Sequence, residues 1–237
     1  MIKITNLSKT YRNGKKAVDN LCIEIENGDM YGFIGHNGAG KTTTIKCITG
    51  ILDFSEGDIL IDGKSIKKEP LECKKIMAYI PDNPDIYESM TGIQYLNFIS
   101  DIFNISKDIR QDRIKKYSNG FEISKNLGDL ISSYSHGMKQ KLAIIAALIH
   151  EPKILILDEP FTGLDPKAIH TLKEYMKELC EKGAAIFFST HVLEVAEKLC
   201  NKVAIIKAGK LIKCGKTKEV TGDESLENLF LELVDNE

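Results

Sequence analysis

Met30-Tyr31-Gly32-Phe33-Ile34-Gly35-His36-Asn37-Gly38-Ala39-Gly40-Lys41-Thr42-Thr43 is the stretch on which the fold turns. Its first five residues read as a short apolar strand, and Gly35 to Gly40 as a glycine-rich loop. Thr42 to about Gly50 reads as a helix closed by the glycine. The spacing satisfies G-x-x-x-x-G-K-[ST]. Glycines at 35, 38 and 40 let the backbone curl until successive N–H groups point inward as an anion-binding nest. The helix start adds free N–H groups and the positive end of its dipole. Lys41 can reach the β- and γ-phosphates of a nucleotide, and the Thr42 hydroxyl is a ligand type suited to Mg²⁺. A nucleoside triphosphate held by Gly35, His36, Asn37, Gly38, Ala39, Gly40, Lys41, Thr42 and Thr43 is the expected ligand.

Composition narrows the class. A chain of 237 residues accommodates one large domain, or one domain with a subdomain. Its formal charge of −2 gives no sign of a basic surface, so no nucleic-acid partner is expected. The six cysteines are scattered without a C-x-x-C pair and read as reduced thiols of a cytosolic protein. The longest apolar run, Leu142 to Ile149, is too short to cross a bilayer, so a membrane role requires another polypeptide. The first five residues alternate like a strand and do not resemble a signal peptide.

Around the loop the chain alternates between strand and helix signals. Ile2 and Ile4, then Leu21, Ile23 and Ile25, mark two half-buried antiparallel strands joined by a polar loop from Ser8 to Lys16 that carries Tyr11. Gly57 to Gly63 and Ile76 to Ile80 are further strands. From about Asn83 to Lys153 helical periodicity takes over, giving an inserted helical subdomain. Its last helix runs from His136 to about His150, with Met138, Leu142, Ile145 and Ile149 on one stripe and Ser135 as N-cap. Ile154 to Leu157 and Ala185 to Ser189 read as buried parallel strands. Between them lies a helix opened by Asp165-Pro166, with Ile169, Leu172, Met176 and Leu179 as its stripe. His191 begins a helix through Leu199, a hairpin turns at Ala208-Gly209, and a short amphipathic helix follows from Leu226 to Val234. The fold class is α/β: a mostly parallel sheet flanked by helices, an N-terminal antiparallel subdomain and the helical insert. The divisions are 1–82 with 154–215 for the core, 83–153 for the insert and 216–237 for a C-terminal tail.

Asp158 and Glu159 stand at the carboxyl end of a buried strand, where open α/β sheets place ligand chemistry. Asp158 suits Mg²⁺, directly or through water. Glu159 suits orienting or deprotonating the water that attacks a γ-phosphate. A solvated turn is the other reading of such a pair.

Tyr134-Ser135-His136-Gly137-Met138-Lys139-Gln140, Thr162-Gly163-Leu164-Asp165 and Ser189-Thr190-His191 complete the order. With them, the chain resembles the ATP-binding subunit of an ABC transporter over nearly its whole length, most like multidrug, peptide or ABC-2-type exporters. The resemblance implies a P-loop NTPase core, ATP hydrolysis with Mg²⁺, and a head-to-tail dimer with a second ATP-binding subunit. It also implies an integral membrane permease that holds the chain peripherally on the cytoplasmic face of the membrane. Tyr11 is then the residue that stacks on adenine, its alternative being a tyrosine packed on the sheet. His191 touches the γ-phosphate, or else bonds backbone at a helix start. Ser135, His136, Gly137 and Met138 contact the partner's ATP, while Asp165 works across the dimer interface, as N-cap, or both.

Two departures stand out. The family signature L-S-G-G-Q is Tyr134-Ser135-His136-Gly137-Met138 here, keeping Ser135 and Gly137. Asp82 occupies the place of a glutamine that contacts Mg²⁺ and links the core to the insert; its carboxylate can still ligate Mg²⁺ through water. Pro84, Ile86, Tyr87 and Met90 beyond it are expected to meet the permease, or else to cover the insert's own core. Two other classes compete. A soluble ABC ATPase acting on ribosomes or DNA would carry tandem domains or a coiled-coil insert. A non-hydrolysing regulatory module is opposed by intact Lys41, Asp158, Glu159 and His191.

Overall fold

The computed structural model describes residues 1–235, so the last two residues of the expected tail lie outside the described part. The chain opens with β1 (Ile2–Thr10) and β2 (Lys16–Ile25), an antiparallel pair. It continues through β3 (Met30–Ile34), α1 (Lys41–Ile48), β4 (Glu56–Ile61) and β5 (Lys64–Ser65). The antiparallel sheet has strand order β2-β1-β4-β5.

The expected polar loop from Ser8 to Lys16 is shorter than the sequence indicates, because β1 runs on to Thr10 and β2 begins at Lys16. Asn6 and Asn20 take positive φ (52° and 53°), and the pairing register slips between Ile4 and Leu7. These irregularities break the inside–outside alternation by which the strands are recognised.

After α2 (Pro70–Lys74) and β6 (Met77–Ile80) come α3 (Gly92–Ile102), α4 (Lys107–Gly120) and α5 (His136–Ile149), which make up most of the helical insert. A reciprocal capping box of Thr91 and Gln94 starts α3, and the Ser135 hydroxyl accepts from Met138 N–H to start α5. The expected single apolar stripe on α5 is incomplete. From Leu142 to Ile149 the helix is buried on every side, while Met138 is only half-buried. Packing by α3, α4 and β6 surrounds it.

The chain then forms β7 (Ile154–Asp158), α6 (Pro166–Glu181), β8 (Ala185–Thr190), α7 (Leu193–Leu199), β9 (Lys202–Lys207), β10 (Lys210–Lys216), α8 (Thr217–Thr221) and α9 (Leu226–Asp235). On α6 the buried stripe starts at Ala168, with Ile169 only half-buried. His191 precedes α7 and does not begin it.

The second sheet has order β10-β9-β3-β8-β7-β6, parallel except for the β9–β10 hairpin. Successive side chains on its central strands serve two cores, since a strand buried on both faces must be apolar throughout. Tyr31, Phe33, Ile154, Ile156 and Phe187 pack toward α1 and the antiparallel sheet. Ile34, Leu155, Leu157, Ile186 and Phe188 share a core with the insert and α6. The carboxyl ends of β3, β7 and β8 thus meet at one edge of a rigid, doubly covered sheet, and the sequence places Gly35, Asp158 and Thr190 there.

Candidate functional site

The loop after β3 curls over the start of α1. Gly40 takes φ 109°, and a Cβ there would sit 2.4 Å from the Ala17 carbonyl oxygen. A Cβ on Gly35 would lie 2.6 Å from the Ile206 carbonyl oxygen. Both positions therefore demand glycine on steric grounds. The resulting cleft of about 370 Å³ is lined by Tyr11, Lys15, Ala17, His36, Asn37, Gly38, Gly40, Lys41, Thr42, Thr43, Asp82 and Glu159. Tyr11 is 37% exposed and its hydroxyl lies 3.1 Å from Thr43 Oγ1, so it stands at the mouth of the cleft and is not packed into the sheet. Gly35 and Ala39 are buried behind the lining, where Gly35 supplies a carbonyl to Lys41.

Lys41 is 7% exposed, and its ammonium is surrounded by oxygen. It donates to Gly35 O at 2.6 Å, approaches His36 O at 3.4 Å and lies 3.2 Å from Glu159 Oε1. The last contact is Coulombic without hydrogen-bond alignment, and Glu159 Oε1 has no hydrogen-bond partner. The other oxygen, Oε2, lies 2.9 Å from His191 Nδ1. Glu159 itself takes φ 47°, an uncommon conformation for a non-glycine residue that surrounding contacts must hold. Ser189 provides one of them: its hydroxyl accepts from Glu159 N–H at 3.0 Å and donates to Asp158 Oδ1. Ser189 and Asp158 are both fully buried. Oδ2 of Asp158 is buried without a hydrogen-bond partner, as is the hydroxyl of Tyr79. Burial, and then the carboxylates of Asp158 and Asp82, push the Tyr79 phenol up from its ordinary value.

Ser135, His136, Gly137 and Met138 do not line this cleft. They belong to a second surface, where a Cβ on Gly163 would lie 2.8 Å from His136 Cδ2 and one on Gly137 would lie 3.0 Å from Gly163 O. Asp165 caps α6 by accepting from Ala168 N–H at 2.8 Å, and it pairs with Lys141 Nζ at 2.6 Å. Lys141 first, then the Ala168 N–H, hold its carboxyl below the ordinary range. The signature start and the Asp165 loop therefore form one surface on the chain and the cleft another.

Reading the sequence missed three of the residues found here. Lys15 and Ala17 line the cleft, signalled only by nearness to Tyr11 in the chain. Ser189, read as a strand end and as the start of Ser189-Thr190-His191 but given no role of its own, is the buried bridge between the two carboxylate residues.

A phosphate cradle after β3, a lysine facing it and two acidic residues at the end of β7, one strand further across the sheet, define a P-loop nucleotide-hydrolysing protein. Residues 18–162 match the family model described as "ABC transporter". The ABC-type transporter ATP-binding protein EcsA of Bacillus subtilis (strain 168) is 34% identical over 98% of this chain and 96% of its own. The bacitracin transport ATP-binding protein BcrA of Bacillus licheniformis is 37% identical over 90% of this chain and 69% of its own. A solved structure described as the ATP binding subunit of an ABC transporter superposes with a TM-score of 0.94, at 34% identity over 98% of this chain and 99% of that one. The chain belongs to the ABC transporter family, as an ATP-binding and ATP-hydrolysing subunit.

Proposed function

We propose that the chain works as one half of a head-to-tail dimer that buries two ATP molecules and drives export through a separate membrane permease. The observation that carries this reading is the separation of two surfaces. The cleft holds Lys41, Glu159 and Asp82, whereas Ser135–Met138 lie outside it and have no phosphate to meet within their own chain. A second subunit turned head to tail supplies each cleft with the missing signature. Similarity to a bacitracin transport ATP-binding protein supports transport as the work that the dimer drives. Among the described residues no helix is long and apolar enough to cross a membrane, so attachment to the cytoplasmic face would run through the permease.

In this reading Tyr11 stacks on adenine, and residues 35–43 wrap the phosphates with backbone N–H groups. Lys41 neutralises charge on the β- and γ-phosphates, and Ser135 with Gly137 of the second subunit closes over the γ-phosphate. Glu159 accepts a proton from, or orients, the attacking water. His191 holds Glu159 Oε2 and stands beside the γ-phosphate, and Asp165 contributes across the interface. Among the described residues no three His, Cys, Asp or Glu side chains converge as a self-contained metal centre. That fits Mg²⁺, which typically binds through one or two carboxylates together with substrate phosphates. The unpartnered Asp158 Oδ2, the Thr42 hydroxyl and Asp82 are the oxygens that would hold it. When bound, Mg²⁺ would neutralise charge developing on the phosphate oxygens.

Permease contact is assigned to the segment after Asp82. Ile86 is buried against the insert's core and Met90 is half-buried against it, as in the alternative given for them above. Tyr87 is 57% exposed and packs edge-on against Phe98 at 5.7 Å, which supports Tyr87 as the contact residue. Residues 83–153, whose helices share a core with the sheet, are assigned as the subdomain that carries this surface.

Glu159→Gln tests the central claim. The variant should bind ATP at least as well as the parent, since the amide no longer competes for Lys41, yet lose turnover and elute as a dimer in ATP. Normal hydrolysis by this variant would show that Glu159 has been misassigned.

A further inference from the structure

Tyr79 carries a buried hydroxyl that nothing in the fold requires. It sits on β6, the edge strand, in parallel register opposite Ile156 of β7. Side chains alternate along a strand, so Tyr79, Ile156 and Asp158 project from the same face of the sheet. Asp158 stands two residues beyond Ile156, toward the nucleotide cleft. Part of the tyrosine borders a groove of about 260 Å³ beneath β6, and the residue is half-buried overall. Its hydroxyl is nonetheless withdrawn from solvent and has no hydrogen-bond partner. Asp158 Oδ2 is likewise buried and unpartnered, because Ser189 occupies only Oδ1. A buried phenol without a partner destabilises the fold, whereas phenylalanine would fill the same apolar space without that cost.

We propose that Tyr79 is a positioning residue for the metal site: its hydroxyl, unbonded to Asp158 as the cleft stands, would donate to the Asp158 carboxylate when Mg²⁺ is bound and fix it toward the ion. The chemistry matches what the cleft lacks. A glutamine at position 82 would offer an N–H donor as well as a carbonyl acceptor, but an ionised Asp82 can only accept. The phenol, three residues upstream, does not line the cleft; it offers its donor behind the lining, on the sheet face from which Asp158 projects. Carboxylates that bind metals are held by partners of this kind, and losing one weakens metal affinity by about 10–100-fold.

The proposal rests on the nucleotide-site reading above, and the test separates the two. Tyr79→Phe, in the full chain, is titrated with Mn²⁺ in the presence of ADP, with bound Mn²⁺ followed by electron paramagnetic resonance. Mn²⁺ affinity should fall about 10-fold, while ADP affinity in EDTA stays unchanged. The urea midpoint of the metal-free variant should equal or exceed that of the parent, because an unpaired polar group has been removed. A merely structural hydroxyl would instead lower that midpoint and leave Mn²⁺ binding alone. Mn²⁺ affinity within twofold of the parent would overturn the role given to Tyr79. If the parent itself bound Mn²⁺ no better with ADP than without, the nucleotide-site reading would fall, and this proposal with it.

Discussion

Ser189→Ala should damage this protein more than any ordinary serine-to-alanine change. The hydroxyl is fully buried and does two things at once, donating to Asp158 Oδ1 and accepting from Glu159 N–H at 3.0 Å. A hydrogen bond to a charged group contributes about 1.5–3 kcal/mol, and leaving the part-buried Glu159 N–H without a partner costs about 1 kcal/mol more. The two overlap because one hydroxyl serves both, so a loss of about 3 kcal/mol is expected. For a chain of this size that corresponds to a fall in Tm of about 6–12 °C. Ser100→Ala is the matched control. Ser100 is also fully buried, but its hydroxyl donates only to Leu96 O at 2.7 Å within α3, a neutral bond of about 1 kcal/mol.

The functional consequence follows from backbone strain. Glu159 is held at φ 47° with Ser189 as one anchor of its N–H. Without that anchor the loop relaxes and the carboxylate drifts from its place beside Lys41. Displacements of this order in a catalytic group cost about 10²-fold in rate. Urea melts, together with ATPase rates at saturating Mg·ATP, measure both effects. Ser189→Ala should lose stability and turnover, and Ser100→Ala should lose a little stability only. If Ser189→Ala melted within about 1 kcal/mol of Ser100→Ala and turned over normally, the bridging role would be refuted.

Lys41→Ala should weaken ATP binding by about 10–100-fold, the value of a charge-assisted bond to phosphate, as read by fluorescent-nucleotide competition. Tyr87→Ala should leave the chain folded and its basal ATPase intact, losing about 1–3 kcal/mol of ring contacts with Phe98 and Tyr95, while pull-down by the permease weakens. His150 stacks on Phe103 at 3.7 Å, and burial pulls its imidazole down to about 4; the Met77 and Ala146 carbonyls lie nearby without bonding geometry. The unfolded chain therefore takes up this proton below about pH 6.5 and the folded chain only near pH 4, so stability is full above the first and declines toward the second. Between pH 7 and pH 5 the loss should be about 2 kcal/mol in the parent and absent from this source in His150→Phe, compared by urea melts at both pH values.

The nucleotide loop was legible because its chemistry is contiguous: nine residues from Gly35 to Thr43 supply nest, cation and hydroxyl without help from elsewhere in the chain. Asp158-Glu159 was legible for the same reason, a buried apolar run ending abruptly in charge. What escaped depends on partners distant in sequence. Ser189 matters because it reaches across 31 positions to Asp158 and 30 to Glu159, and on its own strand it is one polar residue at an end. Helix α5 is apolar on every side from Leu142 to Ile149, so burial there is legible in the run itself; what the sequence does not name is α3, α4 and β6, which close around it. The true length of β1 was hidden by Asn6, whose positive φ interrupts the alternation before Ser8-Lys9-Thr10, so that polar strand residues read as loop.

The contacts of Lys41 also bear on how binding and chemistry would be ordered in the proposed mechanism. The ammonium of Lys41 is shared among two carbonyls and one carboxylate oxygen, Glu159 Oε1. Only the last of these carries charge, so it is the strongest competitor for the lysine. Phosphates entering the nest bring more negative charge than a single carboxylate, and the lysine turns to them. Glu159 is then left with His191 on Oε2 and a vacated Oε1, in the orientation that Ser189 imposes through the backbone. The carboxylate is therefore uncovered by the same event that seats the γ-phosphate. While Lys41 pairs with it, the carboxylate is masked by the charge it would later work beside, so in this mechanism water activation follows release of the lysine to the phosphates. This is also why replacing Glu159 by glutamine should tighten, or at least preserve, nucleotide binding while removing turnover: the substitution deletes the competitor and the base together.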